Sequence, residues 1–409
     1  MNSKFWLSRL SVFAVVGLFV QPGAAMAANV DCNAGGNLQS AINGAVPNEL
    51  IVITGNCAEN VFFRTDGLSF TGATPADGVD GSISVAGAIR IQMVAMTVKN
   101  STSNGVAVFE GGSVLFLNVT ITGHSRAGVL VVDNSLARVI NGSIDNNVRQ
   151  GALISGNSRA TFSNVDVTNN GREGISAFET SSISVRQSSI ISDNTGDGLR
   201  VRQSSYGRLE DSTVSGNGRP FQLFESSSMT IARNVISSDV ADVPGTTGGI
   251  LVNRGSTLRL AGGNTISNTA APDPGTAVSV LANSMLRQGP GGAPDAISST
   301  SGLALNVANM GQADFRDFTI AGLTTVNRHS LLRLRKDATG LVTGDIEIQR
   351  DSAINFGLAE SGSVQVTGTV TCLDKESSAD FPDQTAADIV GGDGEDLDCS
   401  GYNTGNNPN

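Results

Sequence analysis

The stretch "GALISGNSRATFSNVDVTNNGREG", Gly151–Gly174, contains one full period of a repeat. Gly105, Gly128, Gly151, Gly174 and Gly198 stand 23, 23, 23 and 24 residues apart. The first and third residues after each glycine are apolar: Val106/Val108, Val129/Val131, Ala152/Ile154, Ile175/Ala177 and Leu199/Val201. A second apolar pair follows at nine and eleven, Val114/Phe116, Ala137/Val139, Ala160/Phe162 and Ile183/Val185. A further inward position is read at sixteen: Ile121, Ile144, Val167, Ile190 and Val214. Alternation with period two is the mark of strands with one buried face. Each period therefore predicts three short strands separated by turns.

A serine recurs seven residues after the glycine, at Ser135, Ser158, Ser181 and Ser205, and an asparagine four before it, at Asn147, Asn170 and Asn194. Three strands in so short a constant period do not suit hairpins. They suit a chain that coils about an axis, each coil pairing in parallel with the last. Equivalent residues then stack at about 4.8 Å. Stacked Val and Ile fill the interior, while stacked Asn and Ser hydrogen-bond along the axis. His124 falls on the asparagine position. The glycine marks a bend that needs positive φ or a close approach.

Composition agrees. The chain has 409 residues, 49 Gly, one Trp and two Tyr, with few grouped helix formers, which predicts an all-β fold rich in turns. At the front, Lys4 and Arg9 precede the apolar run "LSVFAVVGLFV", and "GAAMAA" supplies small residues at Ala25 and Ala27. This order is that of a secretory signal over residues 1–27, so the mature chain is expected to start near Ala28 and to be secreted or periplasmic. No later run is long enough to span a bilayer as a helix. "NLQSAINGA" places Leu38, Ala41, Ile42 and Ala45 on one helical face with Asn37 as its cap, predicting a short helix that plugs the first coil. The expected organisation is a cap at 28–49, coils over 50–371 and an acidic loop or tail over 372–409.

The formal net charge is −11, and about −13 without the signal, where 24 basic residues face 37 acidic ones. That balance argues against nucleic acid as a partner, and against a polyanionic glycan unless arginines are locally clustered. Cys32, Cys57, Cys372 and Cys399 allow three pairings. The two local pairings, one at each end of the chain, are preferred in an oxidising compartment.

The glycine–strand–serine–strand–strand–asparagine pattern resembles the right-handed parallel β-helix proteins of the pectin-lyase-like superfamily. The resemblance covers roughly residues 38 to 371, about twelve coils. It implies a monomeric solenoid and leaves activity open, because that superfamily includes lyases, hydrolases, epimerases and adhesins. Motifs of its polygalacturonase-like members are missing. "GHS" at Gly123–Ser125 comes too early, Asp-Asp does not occur, and "RLRK" at Arg333–Lys336 matches their basic motif only loosely.

Subtracting the repeat leaves one constellation. The fourth residue after each glycine position runs Phe109, Val132, Ser155, Phe178, Arg202, Phe224, and the fifth runs Glu110, Asp133, Gly156, Glu179, Gln203, Glu225. Arg200 adds a second cation on the strand face. Arg202 is expected between Phe178/Glu179 and Phe224/Glu225. Phe178 and Phe224 could stack on sugar rings, and Arg200 and Arg202 could clamp a carboxylate. Glu179 and Glu225, two coils apart at roughly 9.6 Å, sit near the upper separation of an inverting carboxylate pair. Lyases of the resembled superfamily often pair an acid-bound calcium with a basic proton acceptor, which would be Arg202 here. Exposed Arg and Glu on neighbouring coils also form ordinary surface ion pairs.

Three further features could carry a role, beside the plain alternatives of a solvated edge, tolerated insertions and a solvated acidic loop. Arg126, Arg149 and Arg172 form a like-charge ladder that Asp145 and Glu173 could offset. "SSDVADVPGTTGG", "NTAAPDPGT" and "RQGPGGAPDAISSTSG" interrupt the repeat before first strands and could wall one edge of a groove. Asp393, Glu395, Asp396 and Asp398 supply hard oxygen ligands for Ca²⁺, without a complete helix–loop–helix calcium pattern. The preferred reading is an exported glycan-binding or envelope-interaction protein without a retained catalytic set. The alternative is a polysaccharide lyase, or related carbohydrate-active enzyme, acting on a uronate-containing polymer.

Overall fold

A computed structural model describes residues 27–238, 248–269, 275–289, 293–335, 339–356, 363–374, 376–380 and 397–398. Every strand pairing is parallel and joins equivalent residues of successive coils; Ala137, for example, pairs with Ala160, and Ala160 with Ile183. The result is a right-handed solenoid of about fourteen turns with three strand positions per coil. The expected twelve is an undercount: the ladder runs past both expected bounds, and single coils shrink to nineteen residues, as between Ile51 and Phe70 and between Ala308 and Asn327.

Three sheets run along the axis. In one coil the first sheet takes Ala152–Ile154, the second Arg159–Ser163 and the third Asp166–Thr168. The inward pairs read from the sequence form one continuous core, with Val129, Val131, Ala137, Val139 and Ile144 fully buried. One inward position is corrected. Ile190 is exposed and Ile191 is buried, pairing with Val167. The 24-residue period inserts its extra residue before this strand, so the buried residue falls one place later.

The repeat glycines hold by close approach. A Cβ on Gly151 would lie 2.6 Å from Val167 Cγ1, 2.7 Å from Gly174 O and 2.8 Å from Asn170 Nδ2. The nearest atoms belong partly to the neighbouring coil, so a side chain there would push coils apart.

Both polar ladders form. Asn147 N–H and Nδ2 donate to Asn170 Oδ1 at 3.1 and 2.9 Å, and Asn170 repeats this to Asn194 at 3.1 and 2.8 Å. The N–H of Ser135, Ser158 and Ser181 each donates to the Oγ of the next serine at 3.1 Å. His124 tops the asparagine ladder. Its Nδ1 accepts from Ser101 N–H at 3.0 Å, and its Nε2 lies 3.1 Å from Val98 O. Burial lowers its pKa, against the opposing pull of the Val98 carbonyl and Asp80. A neutral Nε2–H tautomer fits both partners.

The helix Leu38–Gly44 buries Leu38 and Ile42, and Asn37 accepts from Ser40 N–H at 2.6 Å as its cap. The ladder starts earlier than residue 50, because Ala28–Asp31 pairs with Leu50–Thr54. It also passes residue 371, since Ser378–Asp380 pairs with Ala353–Asn355. Cys32 and Cys57 are bonded, tying the first coils. Cys372 is disulfide-bonded as well, and Cys399 lies outside the described residues.

Candidate functional site

The first-sheet strands Ile175–Ala177, Asp197–Val201 and Arg219–Leu223 end directly before Phe178, Arg202 and Phe224. Phe178 N–H donates to Ile154 O, Arg202 N–H to Ala177 O, and Phe224 N–H to Val201 O, each at 3.0 Å. The three side chains therefore leave consecutive coils, as the repeat predicted. Their place is corrected: they sit at the corner after the first sheet, not on its face. Glu179 and Thr180 have φ of 55° and 59°, and Glu225 and Ser226 56° and 59°. Two successive left-handed residues turn the chain towards the second sheet.

At this corner the guanidinium of Arg202 lies 4.8 Å over the Phe178 ring, and that of Arg254 lies 4.3 Å over Phe224. Arg202 meets an aromatic ring rather than a carboxylate, and its Nε is shielded from solvent without a hydrogen-bond partner. Glu225 lies 3.6 Å from Arg254, an exposed pair worth little by itself. Arg254 did not figure in the sequence reading; it occupies the fifth position of the next coil.

Arg200 is held apart from this group. It projects from the first sheet, and its Nε donates to Asp197 at 2.8 Å while Nη1 donates to Glu173. Arg219 lies 3.9 Å from the same Asp197. Gln150 Nε2 donates to the other Glu173 oxygen at 2.9 Å. Asp197 and Glu173 are both buried. Burial pushes the Asp197 carboxyl up, Arg200 and Arg219 pull it down, and Glu173 adds to the upward push. Pairing holds these charges in a poorly solvated place.

The second sheet carries what the sequence reading missed. Its outward residues form a register column: Arg138, Thr161, Ser184, Arg208, Thr230, Arg259, Arg287, Asp314 and Arg333 pair in that order. Arg138 and Arg208 stand ten residues after Gly128 and Gly198, between the buried ninth and eleventh residues, so reading that position would have revealed these two; Arg287 and Arg333 follow no repeat glycine at that interval. Two cavities open on this face. One of about 350 Å³ is lined by Arg159, Arg186, Tyr206 and Arg208, among others. The second, of about 230 Å³, is lined by Met285, Arg287, Asp314, Arg333 and Arg335, among others.

Arg126, Arg149 and Arg172 are stacked, since Arg149 N–H donates to Arg126 O and Arg172 N–H to Arg149 O. The carboxylates expected to offset them are engaged elsewhere: Asp145 accepts from Thr122 and Asn146, and Glu173 from Gln150 and Arg200. Of the three interruptions, the first two follow third-sheet strands as expected and lie largely outside the described residues. The third is corrected. Its Gly-Pro-rich part follows the second-sheet strand Met285–Gln288 and precedes the third-sheet pairing of Asp295–Ala308. It therefore leaves a different edge. Asp393, Glu395 and Asp396 lie outside the described residues, and only the backbone of Asp398 is described, paired with Thr371. Cys32, Cys57 and Glu59 cluster closely, but the two sulfurs are bonded to each other, which removes them as metal ligands.

Among solved structures, the chain is similar to the A-module of the mannuronan C-5 epimerase AlgE4 of Azotobacter vinelandii, at 14% identity, over 84% of this chain and 98% of that one, with a TM-score of 0.46. It is also similar to the pectate lyase Pel9A, at 14% identity over 72% and 80%, TM-score 0.41. A PL6 family alginate lyase, AlyGC, is similar at 9% identity over 88% and 77%, TM-score 0.35. No curated protein matches the chain by sequence. The model of the right-handed β-helix region matches residues 52–190 and 138–285, more than half of the sequence. With the parallel coils and their ladders, that match shows that the chain belongs to the right-handed β-helix family.

Proposed function

We propose that the protein is an exported glycan-binding β-helix that contacts its ligand at the corner formed by Phe178, Arg202, Phe224 and Arg254. One observation carries the reading: the Arg202 guanidinium lies 4.8 Å over the Phe178 ring and has no carboxylate partner among the described residues. A cation held by an aromatic ring keeps its remaining donors, those other than the shielded Nε, for an incoming oxygen ligand. The flanking Phe178 and Phe224 are half-buried and supply apolar surface of the kind sugar C–H faces meet. The Cys32–Cys57 bond suits an oxidising compartment, and among the described residues no helix is long and apolar enough to cross a membrane. Glu179 and Glu225 stand on coils separated by that of Gln203, and Glu225 lies 3.6 Å from Arg254, so a contact surface at this corner does not require them as an acid–base pair.

The test is retention of the mature protein on immobilised glycans, followed by assay of the same glycans for products. Retention that falls at least tenfold in Arg202→Ala and in Phe178→Ala supports the reading. Retention unchanged in both removes it. Unsaturated, ultraviolet-absorbing products that disappear in Arg202→Ala would replace it with a polysaccharide lyase using Arg202, Glu179 and Glu225.

A further inference from the structure

We propose that the outer face of the second sheet is a separate binding surface for a linear carboxylated polysaccharide lying along the solenoid axis. The column from Arg138 to Arg333 crosses eight coil steps, about 38 Å at the spacing of paired strands. Arg138, Arg208, Arg259, Arg287 and Arg333 are all exposed in it. Among the described residues, Arg138, Arg259, Arg287 and Arg333 have no carboxylate partner; Arg208 pairs with Glu210 at 2.6 Å. A protein of net charge −11 has thus gathered unpaired cations on one face, which is the local clustering an acidic chain needs to attract a polyanion.

The ligand class follows from what lies between the arginines. Thr161, Ser184 and Thr230 fill intervening places of the column, offering hydroxyls that both donate and accept, as sugar hydroxyls do, and the one intervening carboxylate, Asp314, is paired with Arg335 at 2.9 Å. Leu136, Tyr206 and Met285 lie on the adjacent outward column and are exposed, giving separated apolar points for C–H faces. The guanidinium fork matches a planar carboxylate through two parallel hydrogen bonds. Single-stranded nucleic acid fits less well, because base stacking calls for a series of aromatic rings and Tyr206 is the one largely exposed aromatic among the described residues. The two cavities lie at separate stations of the row, one around Arg186 and Arg208, the other around Arg287 and Arg333. A long chain can occupy both, and a short oligomer only one, so affinity rises with chain length by effective concentration.

The experiment measures binding of the full mature chain to long polygalacturonate, to its short oligomers, to neutral dextran, to dextran sulfate and to double-stranded DNA. Arg186→Gln/Arg208→Gln and Arg287→Gln/Arg333→Gln are each expected to weaken long-polymer binding at least tenfold. Arg126→Gln/Arg149→Gln changes the net charge equally on another edge and is expected to shift it less than twofold. Short oligomers are expected to bind at least tenfold more weakly than the polymer. Circular dichroism and melting temperature, compared for every variant, separate lost binding from lost folding. Both second-sheet variants retain Arg202, so their loss of binding assigns the second sheet independently of the corner. Equal losses in all three double variants, unchanged binding in both second-sheet variants, or equal binding of dextran, dextran sulfate or DNA would overturn the proposal.

Discussion

Asn170 Nδ2 donates to Asn194 Oδ1 at 2.8 Å across the boundary between two coils, and also to Ile144 O at 3.1 Å behind it. One buried side chain therefore joins three coils. Its Oδ1 accepts both the N–H and the Nδ2 of Asn147. In Asn170→Ala those donors and the Ile144 carbonyl lose a partner in a place water does not reach. Leaving buried polar groups unpaired costs about 1–3 kcal/mol each, so a loss of about 3 kcal/mol or more is expected in denaturant titration. A loss below about 1 kcal/mol would show that the ladder is not a main tie between coils.

Gly151 tests the close approach. The Cβ of Gly151→Ala would fall under 3 Å from Val167 Cγ1, Gly174 O and Asn170 Nδ2. Two of these belong to groups fixed by the coil stack, so the clash cannot be relieved by a flexible side-chain end. Overpacking of this kind costs about 1–3 kcal/mol. The melting temperature is expected to fall, and an unchanged value would refute the steric assignment.

His124 makes the asparagine ladder sensitive to pH. Its folded pKa is lowered by burial, so the unfolded chain binds its proton first as pH falls. The stability tied to neutral His124 is complete above its unfolded pKa of about 6.5 and is lost as pH falls through the lower folded value. An asparagine at this place would accept from Ser101 and donate to Val98 O, as Asn170 does to Ile144 O. His124→Asn is expected to fold normally at pH 8 and to lose less stability than the parent on acidification below about 6.5. Parallel pH–stability curves for parent and variant would exclude the histidine as their source.

Arg200 separates a structural ion network from a binding residue. Removing it in Arg200→Ala leaves Asp197 and Glu173 buried with less compensation. Breaking such a pair costs about 3–5 kcal/mol when fully buried, and less here because the Arg200 side chain is 34% exposed. The Asp197 pKa is already raised by burial and rises further without Arg200. A carboxyl with a raised folded pKa binds protons more tightly in the native state, so the variant's deficit should grow as pH rises through that pKa. Urea unfolding at pH 5 and pH 8 checks this, and a deficit that shrinks at pH 8 would contradict it.

Much of the solenoid was legible because its physics is local and repeated. The inward pairs beginning with Val106/Val108, the serine and asparagine ladders, the place of His124 and the cap by Asn37 all depend on residue type at a fixed interval. Ile190 shows where the interval fails: one inserted residue reverses which side chain faces inward, and only pairing with Val167 identifies Ile191. The corner was half legible. The stacking order of Phe178, Arg202 and Phe224 followed from the period, whereas the left-handed turn at Glu179 and the ring contact of Arg202 are conformations that spacing does not specify.

By itself, the sequence determined that this chain coils, which residues fill the coil, and which polar side chains tie one coil to the next. The tertiary structure decided which charges act together. Arg200 meets Glu173 from the preceding coil, and Arg138, Arg208, Arg259, Arg287 and Arg333 come into one column from scattered positions. The physical reason is that burial is selected residue by residue along the chain, while an electrostatic surface is a sum over neighbours that become neighbours only when the coils stack.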